Sequence, residues 1–226
     1  MHVTLAEELM LLSLDDESGV AKDSSSAGWA VAGGLLADLA LAGRVALDEG
    51  RITVTDRTPT GDPLLDERLE RLTEWVGRKA PGKAKAAEWL TRDHATAVRS
   101  TVQRLCERGL VVEESRRVLG LFPVRRYPEA DGSVERELRA RLTAVIRHHE
   151  APDVRTATLI ALLHGARLHA LAFPDLPRAR VELRFAEIAA GDWAGDSVGQ
   201  AIRNMRVAIA AIAAVTAATA ATAAVS

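Results

Sequence analysis

The chain predicts a mainly α-helical fold: a single globular helical domain decorated with short β-hairpins. Three observations predict it. Leucine and other apolar residues recur at three- and four-residue intervals over long stretches, the spacing of a helix with one buried face. Twice, a helical stretch stops at a glycine and two short strand-like segments follow. In the C-terminal half, Pro152, Pro174 and Pro177 fall between the helical stretches, where they break helices without interrupting them. With 226 residues, 48% of them hydrophobic, the chain can bury a substantial core. Aromatics make up only 4%, so that core is built from Leu, Val, Ile and Ala.

The elements follow in order. Residues 3–14 read as a helix with Thr4 as N-cap and Glu7 at the capping-box position, with Leu5, Leu9, Met10 and Leu12 facing inward. Residues 15–26 read as a polar loop that includes Ser24, Ser25 and Ser26. A helix over 27–42 ends at Gly43, and the pair Gly33 and Gly34 inside it points to close packing. Strands at 44–47 and 51–54 flank a tight turn at 48–50. Pro59 and Gly61 then punctuate a turn. Asp62 is placed to N-cap a helix with Pro63 at its first position, with Leu64, Leu65, Leu69 and Leu72 as its apolar stripe and Asp66, Glu67, Arg68 and Arg71 outside it. A helix over 95–108 ends at Gly109, and a second hairpin pairs 110–112 with 117–121 around 113–115. Helices are expected at 133–149, 153–172, 177–190 and 195–215.

Residues 1–206 form the domain and 207–226 an Ala/Thr-rich helix end or tail. That tail carries no charge over twenty residues, enough to span a bilayer by length. Its Ala and Thr content makes insertion weak, and Ile202, Met205, Ile209 and Ile212 form a stripe suited to packing on the domain.

The net charge of −2 hides an asymmetry. Residues 1–20 carry Glu7, Glu8, Asp15, Asp16 and Glu17 and no cation, whereas residues 78–128 hold twelve Lys or Arg against five Asp or Glu. A basic segment of that kind suits an anionic partner: a membrane surface, nucleic acid or an acidic protein. Phosphate-cradling, dinucleotide, zinc-protease and nucleophile-elbow motifs are all missing, so no enzyme, cofactor or metal is expected. Cys106 is the only cysteine, which excludes an internal disulfide, and it reads as a buried helix position. His148 and His149 are adjacent on a helix and point about 100° apart, unsuited to one metal. His164 and His169, five apart on one expected helix, miss the i, i+4 ligand spacing. The N-terminus shows no signal peptide, so a cytoplasmic location is expected.

The turn-helix at 59–69, Pro-Thr-Gly-Asp-Pro-Leu-Leu-Asp-Glu-Arg-Leu, resembles that of the Golgi phosphoprotein 3 (GPP34) family, which reads close to P-T-G-D-x-L-L-D-E-x-L. Residues 5–19 are similar to the family's opening helix and acidic turn, 36–47 to its helix-to-strand wording, 105–111 to its central helix, and 159–166 to a late helix. On this resemblance the chain is identified as a bacterial member. The resemblance implies a helical fold with hairpins and a non-enzymatic, peripheral role at the inner face of a membrane. It also implies binding of phosphatidylinositol 4-phosphate, protein clients, and self-association through the second hairpin. The family's head-group Trp falls here near Asp23 or Ser24, its second-helix Arg on Ala32, and its paired Arg on Ala95 and Val98. The lipid head-group candidates are therefore the neighbours Arg92, Arg99, Arg104 and Trp29, reading anionic lipid through a basic face rather than one head group.

The membrane-insertion candidates are Val118, Leu119, Leu121 and Phe122, bracketed by Arg116, Arg117, Arg125 and Arg126. Two alternatives stand beside this. The helix 95–108 and the hairpin after it have the outline of a winged-helix nucleic-acid binder. The third reading is a protein-interaction module.

Overall fold

A computed structural model describes residues 3–14, 24–118, 122–128, 130, 132–191 and 209–217, with backbone alone at 24–25, 115–118 and 122–126. The order is α1 (Leu5–Ser13), α2 (Ser24–Leu41), β1 (Val45–Asp48), β2 (Arg51–Val54), α3 (Pro63–Gly77), α4 (Ala86–Glu107), β3 (Glu114–Val118), β4 (Phe122–Arg126), α5 (Ser133–Arg147), α6 (Val154–Gly165), α7 (His169–Ala172) and α8 (Arg178–Ala190). A last helix, α9, covers 209–217. The strands form two separate antiparallel ribbons, β1–β2 and β3–β4.

The fold is organised around α1. It begins with the expected capping box: the Thr4 hydroxyl accepts from the Glu7 N–H at 3.1 Å, and the Glu7 carboxylate accepts from the Thr4 N–H at 2.7 Å. Yet every one of its nine residues is buried, not one face, because α2, α4, α5, α6 and α7 all pack against it. Two carboxylates are therefore buried with it, and each is answered by arginine. Both oxygens of Glu7 accept from Arg108 at 2.8 Å, just beyond α4. Glu8 accepts from Arg141 of α5 at 2.8 Å and lies 3.5 Å from Arg155 of α6. Arg155 also donates to Asp38 of α2 at 3.0 Å and to the Val3 carbonyl. The acidic N-terminal excess is thus partly an internal latch, since buried charges persist only when paired.

Close approach comes from glycine. A Cβ on Gly34 would lie 2.9 Å from the Ala6 backbone nitrogen, so α2 meets α1 backbone to backbone. This brings the Asp38 carboxylate within 2.6 Å of the Leu5 N–H, a second cap on α1 from across the fold. The α9 helix uses the same device: Ile212 sits over Gly33, where an added Cβ would lie 2.2 Å from its Cδ1, and Ile209 over Gly165.

The turn-helix motif is structural. Asp62 accepts from the N–H groups of Leu64 and Leu65 at 2.9 and 3.3 Å, with Pro63 opening α3. Asp66 folds back to accept from the Thr60 N–H and hydroxyl at 2.5 and 2.6 Å.

Several expectations are corrected. Residues 24–26 are the first turn of α2 rather than loop, and α4 starts at Ala86, well before 95, so the central helix spans 22 residues. The second ribbon pairs Glu114–Val118 with Phe122–Arg126, not 110–112 with 117–121, so the expected turn residues 114 and 115 lie in β3. Leu110 and Val112 instead exchange backbone hydrogen bonds with Ala130 and Pro128. The helix expected over 153–172 breaks between α6 and α7, where Arg167 takes φ +60° and Leu168 N–H returns to the Leu163 carbonyl at 2.8 Å. That is a glycine-type helix end made without glycine. Arg68, expected outside the α3 stripe, is fully buried. The 195–208 part of the last expected helix lies outside the described residues, and 209–217 is helical.

Candidate functional site

The α4 helix positions the candidate arginines. It buries Trp89, Leu90, Asp93, Ala97, Thr101, Val102 and Leu105 and turns the opposite face outward. Arg92 and Arg99, seven residues and two turns apart, are exposed and make no ion pair among the described residues. Arg104 lies elsewhere on the helix, 3.7 Å from Glu107, against the start of α3 in a small cavity with Pro63, Leu64 and Glu67. Trp29 is also apart: it is 5% exposed and stacks on the His94 imidazole with ring centroids 4.1 Å apart. The structure therefore separates the four head-group candidates. Arg92 and Arg99 share the exposed side of α4, Arg104 faces α3, and Trp29 is core.

Beside Arg99 lies a groove that the sequence did not signal. Ala95, Val98, Val102, Cys106 and Tyr127 line a cavity of about 480 Å³, with Arg99, Gln103 and Glu113 among its walls. Ala95 and Val98, the positions where the family resemblance would place its paired arginines, are here apolar lining. Cys106 is half-buried in this groove rather than in the core, and burial, with Glu113 and Glu107 nearby, pushes its thiol up.

The groove sits at the root of the β3–β4 ribbon, since Glu113 immediately precedes β3 and Tyr127 immediately follows β4. Register places the candidate residues along that ribbon. Arg126 pairs with Glu114, Arg125 with Ser115, Arg116 with Val124, Arg117 with Pro123, and Val118 with Phe122. The four arginines thus occupy four consecutive rungs next to the root, and an apolar pair forms the last rung before the tip. Leu119 and Leu121 lie outside the described residues.

The two histidines set aside for their spacing are brought together by the α6–α7 break: His164 Nδ1 lies 3.0 Å from His169 Nε2. His169 is 2% exposed, edge-on to Phe185, and burial, with His164 and Arg178 adding, lowers its pKa from 6.5 to about 4. The signal missed was an αL arginine, which a composition of glycines and prolines cannot reveal. His148 and His149 are exposed. Among the described residues no group of three or more His, Cys, Asp or Glu could hold a metal ion, and no helix is long and apolar enough to cross a membrane.

Fold and site together define a class: a helical domain built on a buried, doubly capped first helix, with an arginine-bearing β-ribbon following its central helix. The family model described as Golgi phosphoprotein 3 (GPP34) matches residues 5–205. The chain belongs to that family.

Proposed function

We propose that the chain is a non-enzymatic, peripheral membrane-binding adaptor that reads anionic lipid through the β3–β4 ribbon and the exposed arginines of α4. The observation that carries this reading is the register of the ribbon. Arg116, Arg117, Arg125 and Arg126 occupy the rungs beneath an apolar end, the order expected of a segment that sinks its tip into an interface and leaves cations at phosphate depth. Family membership supports it. Magnitudes support it too. About 1 kcal/mol per cation near an anionic leaflet gives roughly 4–6 kcal/mol for these four with Arg92 and Arg99, which is weak, reversible and salt-sensitive binding.

Co-sedimentation tests it with neutral vesicles, anionic vesicles, and anionic vesicles containing phosphatidylinositol 4-phosphate, at low and physiological salt. Binding to both anionic kinds alike, weakened by salt and reduced more than about tenfold when Arg116, Arg117, Arg125 and Arg126 are all changed to Ala, is expected. Marked preference for the phosphoinositide would overturn the loss of head-group specificity that Ala95 and Val98 imply. No binding to any vesicle would sink the membrane role. A salt-dependent shift of duplex DNA would then favour the nucleic-acid reading of α4 and the ribbon.

A further inference from the structure

We propose that His164 and His169 form an acid-released clip: their ring-to-ring hydrogen bond fastens the short α7 helix to α6, and protonation of both rings frees α7 while the rest of the domain stays folded. The inference goes beyond the membrane reading and stands whether or not the protein binds lipid.

The geometry makes α7 depend on ties from outside itself. Four residues cannot sustain a helix alone. Its underside is apolar, with Leu168, Leu171, Ala172 and Phe173 buried where the segment packs on α1 and α8. Its backbone bonds are local, such as Phe173 N–H to the His169 carbonyl at 2.9 Å. Two side-chain ties reach it from other elements. Arg139 of α5 donates to the Leu171 and Ala172 carbonyls at 3.0 and 3.4 Å, and His164 Nδ1 lies 3.0 Å from His169 Nε2. An N–H···N bond needs a lone pair on one of the two rings. The neutral pair has one, and so does the pair with one added proton. A second proton sets two N–H groups and two positive charges face to face, so the tie becomes a repulsion.

The surroundings do little to absorb that charge. From α8, Glu182 favours the charged rings and Arg178 opposes them, and these two are bonded to each other. On α5, Arg139 is held by Glu135, and Arg147 lies over the Phe173 ring. The acids of α1 and α2 are engaged elsewhere: Glu7 by Arg108, Glu8 by Arg141 and Arg155, and Asp38 by Arg155. The α9 helix brings Ile209 against Gly165, next to His164, and carries no charge over 209–217. Burial adds to this: both rings lie below 6.5, His169 at about 4. An opening that hydrates His169 returns it toward 6.5, so the open form takes a proton that the closed form refuses, and acid favours opening.

Native-state hydrogen exchange of the full chain, read amide by amide at about pH 7 and about pH 4.5 across low urea concentrations and corrected for intrinsic exchange, tests the clip. The Leu168, Leu171 and Phe173 amides are expected to exchange through an opening that urea barely affects, while α1 amides follow the urea-sensitive global unfolding. One linked proton makes that local opening roughly fiftyfold more frequent at the lower pH. His169→Phe should abolish this pH dependence. His164→Gln, at a half-buried ring, keeps a hydrogen-bonding partner for His169 and removes the second charge, so it should reduce the dependence. Glu182→Gln should move the opening to lower pH, because it removes the carboxylate that favours the charged rings. If the α7 amides follow the α1 amides in urea at both pH values, the histidines act on global stability alone and the clip is overturned. Local opening that is as pH-dependent in His169→Phe as in the parent would overturn it as well. An unchanged dependence in His164→Gln would overturn the role of the pair and leave buried His169 acting alone.

Discussion

Arg68 shows how a single side chain can be misassigned by pattern and placed by packing. On the α3 stripe it falls among charged neighbours, yet it is fully buried, donating to Asp93 of α4 at 2.5 Å and to the Ser100 hydroxyl at 2.6 Å. Burial dominates both partners, lowering the arginine's pKa and raising that of the aspartic acid despite their mutual attraction. Arg68→Met alone should therefore cost about 3–5 kcal/mol in urea unfolding, because it strands Asp93, while the double change with Asp93→Leu should restore most of that loss. A double variant no more stable than the single one would show that the pair itself, not the stranded charge, carries the energy. His169 makes the second residue-scale prediction. Its folded pKa of about 4 lies below the ordinary 6.5, so in that window the unfolded chain binds a proton that the folded chain refuses. Stability from this group is complete above about pH 6.5 and falls as pH drops toward 4, by about 3 kcal/mol at 1.36 kcal/mol per unit. Asp38 works in the opposite sense: burial raises it to about 7, so its contribution is lost as pH rises through that value. Comparison with His169→Phe isolates the histidine, and unfolding at pH 7.5 and 4.5 should show the variant losing less on acidification. Identical losses in the two proteins would refute the assignment.

At the scale of elements, α1 is the piece on which the others converge. Helices this short are marginal by themselves, so its stability comes from tertiary partners. The Thr4–Glu7 box satisfies one set of N-terminal groups, and Asp38 reaches the Leu5 N–H from α2. That reach depends on Gly34, where any Cβ would meet the Ala6 nitrogen at 2.9 Å and the Leu5 carbonyl carbon at 3.1 Å. Backbone cannot rotate aside as a side chain can, so Gly34→Ala should push the helices apart and cost about 1–3 kcal/mol by thermal unfolding. A variant as stable as the parent would mean that α1 and α2 separate without penalty. The α6–α7 break is the complementary case. Arg167 adopts the left-handed conformation that glycine adopts at Gly43 and Gly109, and the return bonds match: Leu168 to Leu163, Arg44 to Leu39, Leu110 to Leu105. Two of these three helix ends could be read from their glycines. The third could not, and with it went the His164–His169 contact.

For the whole molecule, local chemistry was legible and pairing across distance was not. The helical class, the Thr4 capping box, the Asp62–Pro63 start of α3, the glycine helix ends, the β1–β2 turn and the membership signalled at 59–69 are all carried by residues close in sequence, whose hydrogen bonds and φ angles depend on near neighbours. The charge asymmetry was legible as well, but its meaning was not: part of the acidic N-terminus is spent inward on Arg108, Arg141 and Arg155, which lie more than a hundred residues away. The same holds for the site. The arginines of the second ribbon were visible as a pattern, but their rungs depended on a register that alternation alone left ambiguous. The groove of Val98, Val102, Cys106 and Tyr127 exists only because the end of β4 returns to α4. What the sequence determined by itself was which segments are helices, where most of them stop, and which family they make. Only the tertiary structure decided which charges are buried, which arginines remain exposed, and that an apolar slot opens beside Arg99, because those outcomes rest on contacts between residues whose separation along the chain carries no local signal.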